Sequence, residues 1–192
     1  MKERSLGIVC VILVFTLVCT CFSPLVVPGT ASAASGPFGG GDGSEEAPFI
    51  IDTAERLYEV SVSQSVYLDS HFRLIADIDF IGWDWSAHPW TPIGSDVAPF
   101  SGEFDGGDHT ITGLRIYDPL RSFAGLFGAS SGTLRNIGLE EVDIAAGSNT
   151  GGLVGHNTGK VHPEYSTGSV SGIDSVACRG ERSVDTVVTW HG

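Results

Sequence analysis

The chain has 192 residues and carries 23 acidic against 10 basic side chains, a net charge of −13 at neutral pH. A surface this acidic repels nucleic acid and anionic lipid, which excludes both as partners. Cys10, Cys19 and Cys21 precede a candidate cleavage point, so the one cysteine beyond it, Cys178, can close no intrachain disulfide.

Residues 1–33 have the layout of a signal peptide. Lys2 and Arg4 supply a basic start, an apolar stretch runs from Leu6 to Phe22, and Ala31-Ser32-Ala33 fits the small-residue cleavage pattern. The apolar stretch is long, and an uncleaved membrane anchor is the rival reading, the only case in which membrane association is expected. Neither Cys19 nor Cys21 follows the small residue that a lipoprotein site needs. Both readings export the remainder, so a secreted or cell-surface location is expected. Cleavage removes Lys2, Glu3 and Arg4 and leaves the part from position 34 to 192 more acidic still. That length is enough for one domain with a sizeable core.

Residues 34–48 form an opening segment rich in glycine and acids, which on composition alone is a linker. Residues 49–98 read as an N-terminal capping unit. Within it Phe49-Ile50-Ile51 is a short strand. Thr53 offers an N-cap to one short helix with Ala54, Leu57, Tyr58 and Ser61 along a face. Phe72–Ile75 and Ile78–Ile81 read as strands around Asp77. A loop with Trp83, Trp85 and Trp90 follows and ends at Pro92-Ile93-Gly94.

From residue 99 to 172 a phrase recurs. Gly125-Leu126-Phe127-Gly128 returns as Gly152-Leu153-Val154-Gly155, and Gly132 returns as Gly159, with the same offset of 27 in each case. A degenerate third copy is read upstream, where Ile111, Leu114 and Ile116 repeat the spacing of Leu134, Ile137 and Leu139 at an offset of 23. Apolar residues alternate with period two between glycine corners, as in Thr110-Ile111-Thr112 and Lys160-Val161-His162. A repeat of this length, built from short strands, suits one turn per repeat; a propeller blade needs about 40 residues or more. The expected fold is all-β: a short right-handed parallel β-helix whose N-terminal capping unit contains one short helix.

The two tetrads resemble the GLUG motif, named for its Gly-Leu-hydrophobic-Gly pattern. Further similarity to GLUG domains lies in Gly41-Asp42-Gly43-Ser44, Pro48–Ile51, Ala76–Asp79, Trp90–Gly94, Phe100–Gly106, His109–Ile111 and Tyr165–Val170. It covers about residues 39–172. The resemblance implies a repeat module of secreted and cell-surface proteins of bacteria and archaea, including regions of certain large metallopeptidases. It also implies that the glycine-rich opening is the first corner of the domain. Two features depart from the pattern: Pro163 stands at a usually polar position, and Ile173–Gly180 replaces the next tetrad. The atypical tail, residues 173–192, offers no recognisable cap. Either the chain is a truncated or frame-shifted piece of a longer surface protein, or it self-associates through an open solenoid end.

Chemistry-bearing motifs are sparse. There is no HExxH, nucleophile elbow or P-loop. Asp77 and Asp79, with Asp84 or Asp96, are a candidate calcium set; the competing reading makes them turn caps. Asp105, Asp108 and His109 are the acid-plus-histidine cluster, a candidate for general acid–base work on a polysaccharide or else a set of turn residues. The aspartates beside Gly39–Gly43 and Gly106-Gly107 read as turn residues rather than a calcium repeat. Trp90 is expected in the core, while Trp83 and Trp85 either plug the solenoid or stack on sugar rings. His71, His88, His156, His162 and His191 are expected at the surface. No catalytic, cofactor or metal residue is assigned, and no cofactor beyond a weak possibility of calcium. The expected function is non-enzymatic: a structural or adhesion module presenting a stiff acidic surface to an extracellular protein or glycan. A glycan-binding or carbohydrate-active protein is the alternative.

Overall fold

The computed structural model describes residues 36–162, 164–172, 176–177 and 186–190. The expected signal segment at residues 1–33, Pro163, Cys178 and His191 lie outside the described residues, as does most of the tail. The described residues form thirteen strands and two helices, arranged as a parallel β-solenoid of about four turns, and every strand pairing among them is parallel. The expected fold class is therefore the one observed.

The first turn is the irregular one. Strand β1 (Phe49–Ile51) is followed by helix α1 (Ala54–Val62), and Thr53 caps it by accepting a hydrogen bond from the Arg56 N–H. Leu57, Val60 and Ser61 are its buried face. A one-turn helix not expected from the sequence, α2 (Gln64–Tyr67), completes the turn. These helices cover a sheet edge through side chains. The Ser61 hydroxyl donates to the Thr91 carbonyl at 2.8 Å and accepts from the Thr91 N–H at 3.1 Å, and the Gln64 carboxamide oxygen accepts from the Gly94 N–H at 2.8 Å. Backbone groups that would otherwise template another strand are thus satisfied. The opening segment does the same for β1: Gly39 N–H donates to the Ile50 carbonyl at 2.8 Å and Ile50 N–H to Gly40 at 3.0 Å. Residues 36–48 are an ordered corner.

From β2 (His71–Leu74) the chain is already in regular turns. Strand β3 is Ile78–Asp79, β4 Glu103–Thr112, β5 Arg115–Asp118, β6 Phe127–Ser130 and β7 Thr133–Ala146. Strands β8 (Thr150–Gly151), β9 (Val154–Asn157), β10 (Lys160–Val161) and β11 (Glu164–Gly172) continue the winding. Phe49, Phe72, Phe104, Leu134 and Val161 are consecutive partners in one inward column, and side-chain size falls along it. Ile78, Ile111 and Leu139 form a second column, and Ile116, Ile144 and Val170 a third. Rings of Phe38, Phe49, Phe72, Phe100, Phe104 and Phe127 run through the first half of the core, with centroids 4.5–6.3 Å apart. The turn that contains β7 buries Leu134, Ile137, Leu139, Val142 and Ile144 almost completely. Each such side chain is worth about 1.5–3 kcal/mol, realised only when the next turn covers it.

The two tetrads stack as expected, with Phe127 opposite Val154. The upstream copy does not lie where the spacing placed it. Ile111 pairs with Leu139 and Ile116 with Ile144, so the correspondence at an offset of 23 is accidental. The true third copy is Thr91-Pro92-Ile93-Gly94, with Ile93 bridged to Phe127 and Phe100 to Ser130. The interval from 93 to 100 is longer than that from 127 to 130, so the upstream copy carries an insertion. It forms a turn around Ser95–Ala98, closed by Ser95 N–H to the Ala98 carbonyl at 2.9 Å. In the tail, β12 (Val176–Ala177) pairs with β8 and β13 (Thr186–Trp190) with β11. The ladder therefore continues beyond Gly172, with β13 the last strand in its order.

Glycine is required where successive turns touch. A Cβ on Gly102 would lie 2.0 Å from the Ser70 carbonyl oxygen, one on Gly132 2.1 Å from that of Gly102, and one on Gly159 2.1 Å from that of Gly132. Gly132→Ala should therefore lower the unfolding free energy in urea by about 2–3 kcal/mol. Gly36→Ala, where an added Cβ meets nothing within 4 Å, should change it by less than ~0.5 kcal/mol.

Candidate functional site

The acid-plus-histidine cluster sits at the corner in the middle of β4, where the ladder register shifts between Asp105 and His109. Its three members diverge. Asp105 is 5% exposed and turns back into the stack. One of its carboxylate oxygens accepts from the Gly107 N–H at 3.0 Å and the Asn136 carboxamide at 3.1 Å; the other lies 2.9 Å from an Arg135 terminal nitrogen. Arg135 also donates from Nε to Glu103 at 2.9 Å, and this bond raises its pKa further. Arg73 approaches Asp105 from the other side at 4.0 Å. Arg73, Asp105 and Arg135 are successive partners in the ladder, so the carboxylate is held between two turns by guanidinium groups above and below. Buried charge is tolerated only with such pairing.

His109 faces the opposite way. Its Nδ1 is 3.1 Å from Asp77, whose same oxygen accepts from the Thr110 N–H at 3.0 Å. The Thr110 N–H, aided by His109, holds the exposed Asp77 carboxyl below the usual carboxylate range. Asp108 is exposed in the left-handed region at φ 63°. Of the two carboxylates of this cluster, Asp105 is thus buried in the stack and Asp108 exposed outside it.

The candidate calcium set is likewise dispersed. Asp79 accepts from the Ile81 N–H at 2.7 Å, and Asp84 accepts from the Ser86 N–H and hydroxyl at 3.0 and 2.6 Å. The Ser86 hydroxyl, with the Ala87 and Ser86 N–H groups, lowers the Asp84 pKa; the Ser44 side chain and N–H do the same for Asp42. Among the described residues no three His, Cys, Asp or Glu side chains are placed to hold a metal ion. Asp79 and Asp84 cap local turns, and Asp77 is bonded across to the corner of the next turn at His109 and Thr110.

The tryptophans separate into two groups. Trp90 is buried, its indole N–H donating to the Leu126 carbonyl at 3.3 Å. Trp83 and Trp85 are half-buried and pack on Phe80 at 5.3 and 5.2 Å between centroids. Of the histidines, His88, His156 and His162 are exposed and His71 is half-buried. The residues that organise this region and escaped sequence reading are Arg135, Glu103, Asn136 and Arg73. Their relation depends on turns longer than the interval between the two visible tetrads, so the repeat does not align them.

No family model matches the chain. Among known proteins it is 35% identical over 137 residues to a protein of Evansella cellulosilytica that carries the name Gly-rich membrane protein. It is 31% identical over 159 residues to halomucin of Haloquadratum walsbyi. The matches cover 67% and 78% of the chain but span only 15% and 2% of those relatives. Among solved structures, one from Bacteroides ovatus whose title names an immunoglobulin A1 protease aligns with a TM-score of 0.60. The alignment has 23% identity and covers 82% of this chain and 52% of that one. This likeness is one of fold. No helix among the described residues is long and apolar enough to cross a membrane.

The geometry of the corners sets their response to substitution and to acid. Asp105→Ala leaves Asn136 without its partner and Arg135 with Glu103 alone, and should lower stability by about 2–3 kcal/mol in urea melts. Asp96→Ala, at an exposed loop position, should stay within ~0.5 kcal/mol. Asp42, Asp77 and Asp84 have folded pKa values below their unfolded ones. Their contribution is complete above the unfolded carboxylate range and is lost as pH falls through the lower, folded values. Acid titration of the midpoint should show this loss, and the triple Asp→Asn variant, which keeps an acceptor at each cap, should show a shallower acid arm.

Proposed function

We propose that this chain is a GLUG-type repeat module of an exported protein, acting at or beyond the cell surface as a rigid, acidic, non-enzymatic element of structure or adhesion. The observation that carries this reading is the engagement of the acid-plus-histidine cluster. Asp105 is consumed by Arg135, Asn136 and Gly107, and His109 by Asp77, so the groups best suited to acid–base chemistry serve the corners of the scaffold. Relatives named as a Gly-rich membrane protein and a halomucin support the surface location. The basic, apolar and small-residue order of residues 1–33 supports export.

The mechanism is geometric. Strands stack about 4.8 Å apart, so loops on successive turns stand at fixed spacing and need no ordering when a ligand binds. Rigidity of this kind lowers the entropic cost of association. The net charge of −13 keeps the surface solvated and apart from anionic membranes.

Expression of the whole chain with a C-terminal epitope in a non-adherent bacterial host tests the reading. The epitope should be found in the medium, or be removed from intact cells by added protease. Retention of those cells on immobilised glycan or matrix protein should rise roughly tenfold over the parent, about 1.4 kcal/mol in apparent binding. A product confined to the cytoplasm, or retention equal to the parent, would overturn it.

A further inference from the structure

The loop from Ile81 to Pro89 carries two tryptophans where the neighbouring turns have short strands or tight corners, and both pack against the core while staying only partly buried. Phe80 and Trp90 are the buried rings of this region, at 2% and 4% exposure. Trp83 and Trp85 lie outside them, each packed on Phe80 along one side with the remainder reaching the surface. Tyr58, from α1, and His88 extend the aromatic surface. Tyr58 and His88 lie 5.5 and 5.7 Å from Trp83 between centroids, and Trp85 lies 6.3 Å from it.

The loop is tied to itself. The Trp83 indole N–H donates to the His88 carbonyl at 3.2 Å. The Asp84 carboxylate ties the loop by accepting from Ser86 and Ala87, while its carbonyl accepts from the His88 N–H at 2.9 Å. By contrast, the Trp85 indole N–H has no partner among the described residues. Around the rings stand the exposed side chains of Asp84, Ser86 and His88.

A patch of partly exposed aromatic rings, tilted to one another by 54–57° and edged by a carboxylate, a hydroxyl, an imidazole and a spare indole donor, matches one ligand chemistry. A pyranose ring has a flat C–H face and a rim of hydroxyls that both donate and accept. Stacking of that face on an aromatic ring, with hydroxyls bonded at its edge, combines the apolar and polar ends of tryptophan. The charge distinguishes among sugars. Asp84 lies on the platform and the chain carries −13 overall, so uronate and sulfate polymers are repelled.

We propose that Trp83, Trp85 and Tyr58, with Asp84, Ser86 and His88 at their edge, form a binding platform for a neutral oligosaccharide. It rests on the reading of the chain as a surface module and names the chemistry of its ligand. Apolar protein segments are the competing occupant. The free indole donor and the polar rim favour the sugar.

The test is a titration of the purified full chain, followed through indole N–H signals in ¹⁵N–¹H spectra and assigned by single Trp→Phe replacements. Cellohexaose, mannohexaose and chitohexaose are the neutral probes; polygalacturonate and a leucine-rich decapeptide are the controls. At least one neutral hexasaccharide should shift the Trp83 and Trp85 signals and leave Trp90 in place. Trp85→Ala should weaken that binding at least tenfold, and Trp85→Phe, which keeps a ring but removes the donor, about threefold. The spectrum itself reports whether each variant is folded, and wild-type shifts decide the matter if one is not. The proposal is overturned if no neutral hexasaccharide moves these signals, if polygalacturonate or the peptide moves them more strongly, or if folded Trp85→Ala binds as the parent does. Failure to bind by a protein found at the cell surface removes the platform alone. Binding by a protein confined to the cytoplasm removes the surface reading alone.

Discussion

Successive turns of the solenoid meet backbone on backbone. At Gly102, Gly132 and Gly159 each turn lies so near the carbonyl of the one before that a single methyl group would not fit. Gly94, Gly128 and Gly155 make a second such line: an added Cβ on Gly128 would lie 2.4 Å from the Gly94 oxygen, and one on Gly155 2.9 Å from that of Gly128. These two lines set the phase of every turn. Once they are aligned, Phe127 falls over Val154 and under Ile93, and the inward columns follow from the alternation of side chains. The core is a consequence of that alignment. Hydrophobic burial supplies most of the stabilisation, but it is non-directional and would tolerate other registers; the glycines do not.

This explains which parts of the fold can be read without coordinates. Helix α1 is legible because Thr53 and the spacing of Ala54, Leu57, Tyr58 and Ser61 are local signals, although Val60 is buried beside Leu57 and Ser61 while Ala54 and Tyr58 are only half-buried. The tetrads at Gly125 and Gly152 are legible because nothing is inserted between them, so their period is kept from the first glycine to the trailing one. The copy at Thr91–Gly94 is hidden for a physical reason. Proline replaces the leucine of the tetrad, and the Ser95–Ala98 turn makes the offset differ at its two ends. A solenoid tolerates such an insertion because it projects from a corner without disturbing the pairing on either side. Ile111, Leu114 and Ile116 mislead for the converse reason. Spacing within one turn carries no information about which residue of the next turn lies beneath it.

The corner chemistry shows the same dependence on long-range register. Asp105 beside two glycines reads as a solvated turn residue, and local geometry bears out half of this in its bond to the Gly107 N–H. The other half comes from the following turn, where Arg135 is its ladder partner and Asn136, at φ 55°, turns the corner. Likewise His109 is defined by Asp77, which belongs to the turn before it. A carboxylate that is a catalytic candidate in one dimension becomes a strut in three, because its neighbours in space belong to other turns. The exposed Asp79 and Asp84 follow local rules, each accepting from the N–H two residues on.

A stack phased by glycine columns leaves little freedom for function in its regular part. In β4 and β7 the strands have partners on both sides, and the corners are fixed by backbone conformation. Variation is cheap only where a turn is lengthened. Along the first face the ladder partners run from His71 to Glu103, then to Thr133, then to Lys160, and each step along the chain is shorter than the one before. The earlier, longer turn holds both the Ser95–Ala98 insertion and the loop of Trp83 and Trp85, and it is the turn against which α1 and α2 are fastened through Ser61 and Gln64. The helices thereby have two effects: they end the sheet, and they brace the segment that follows the tryptophan loop. Tyr58 joins the two, its ring carried by the helix and Trp83 5.5 Å away on the loop. The end of the solenoid that departs furthest from its repeat is thus also the end at which half-buried aromatic rings of helix and loop meet.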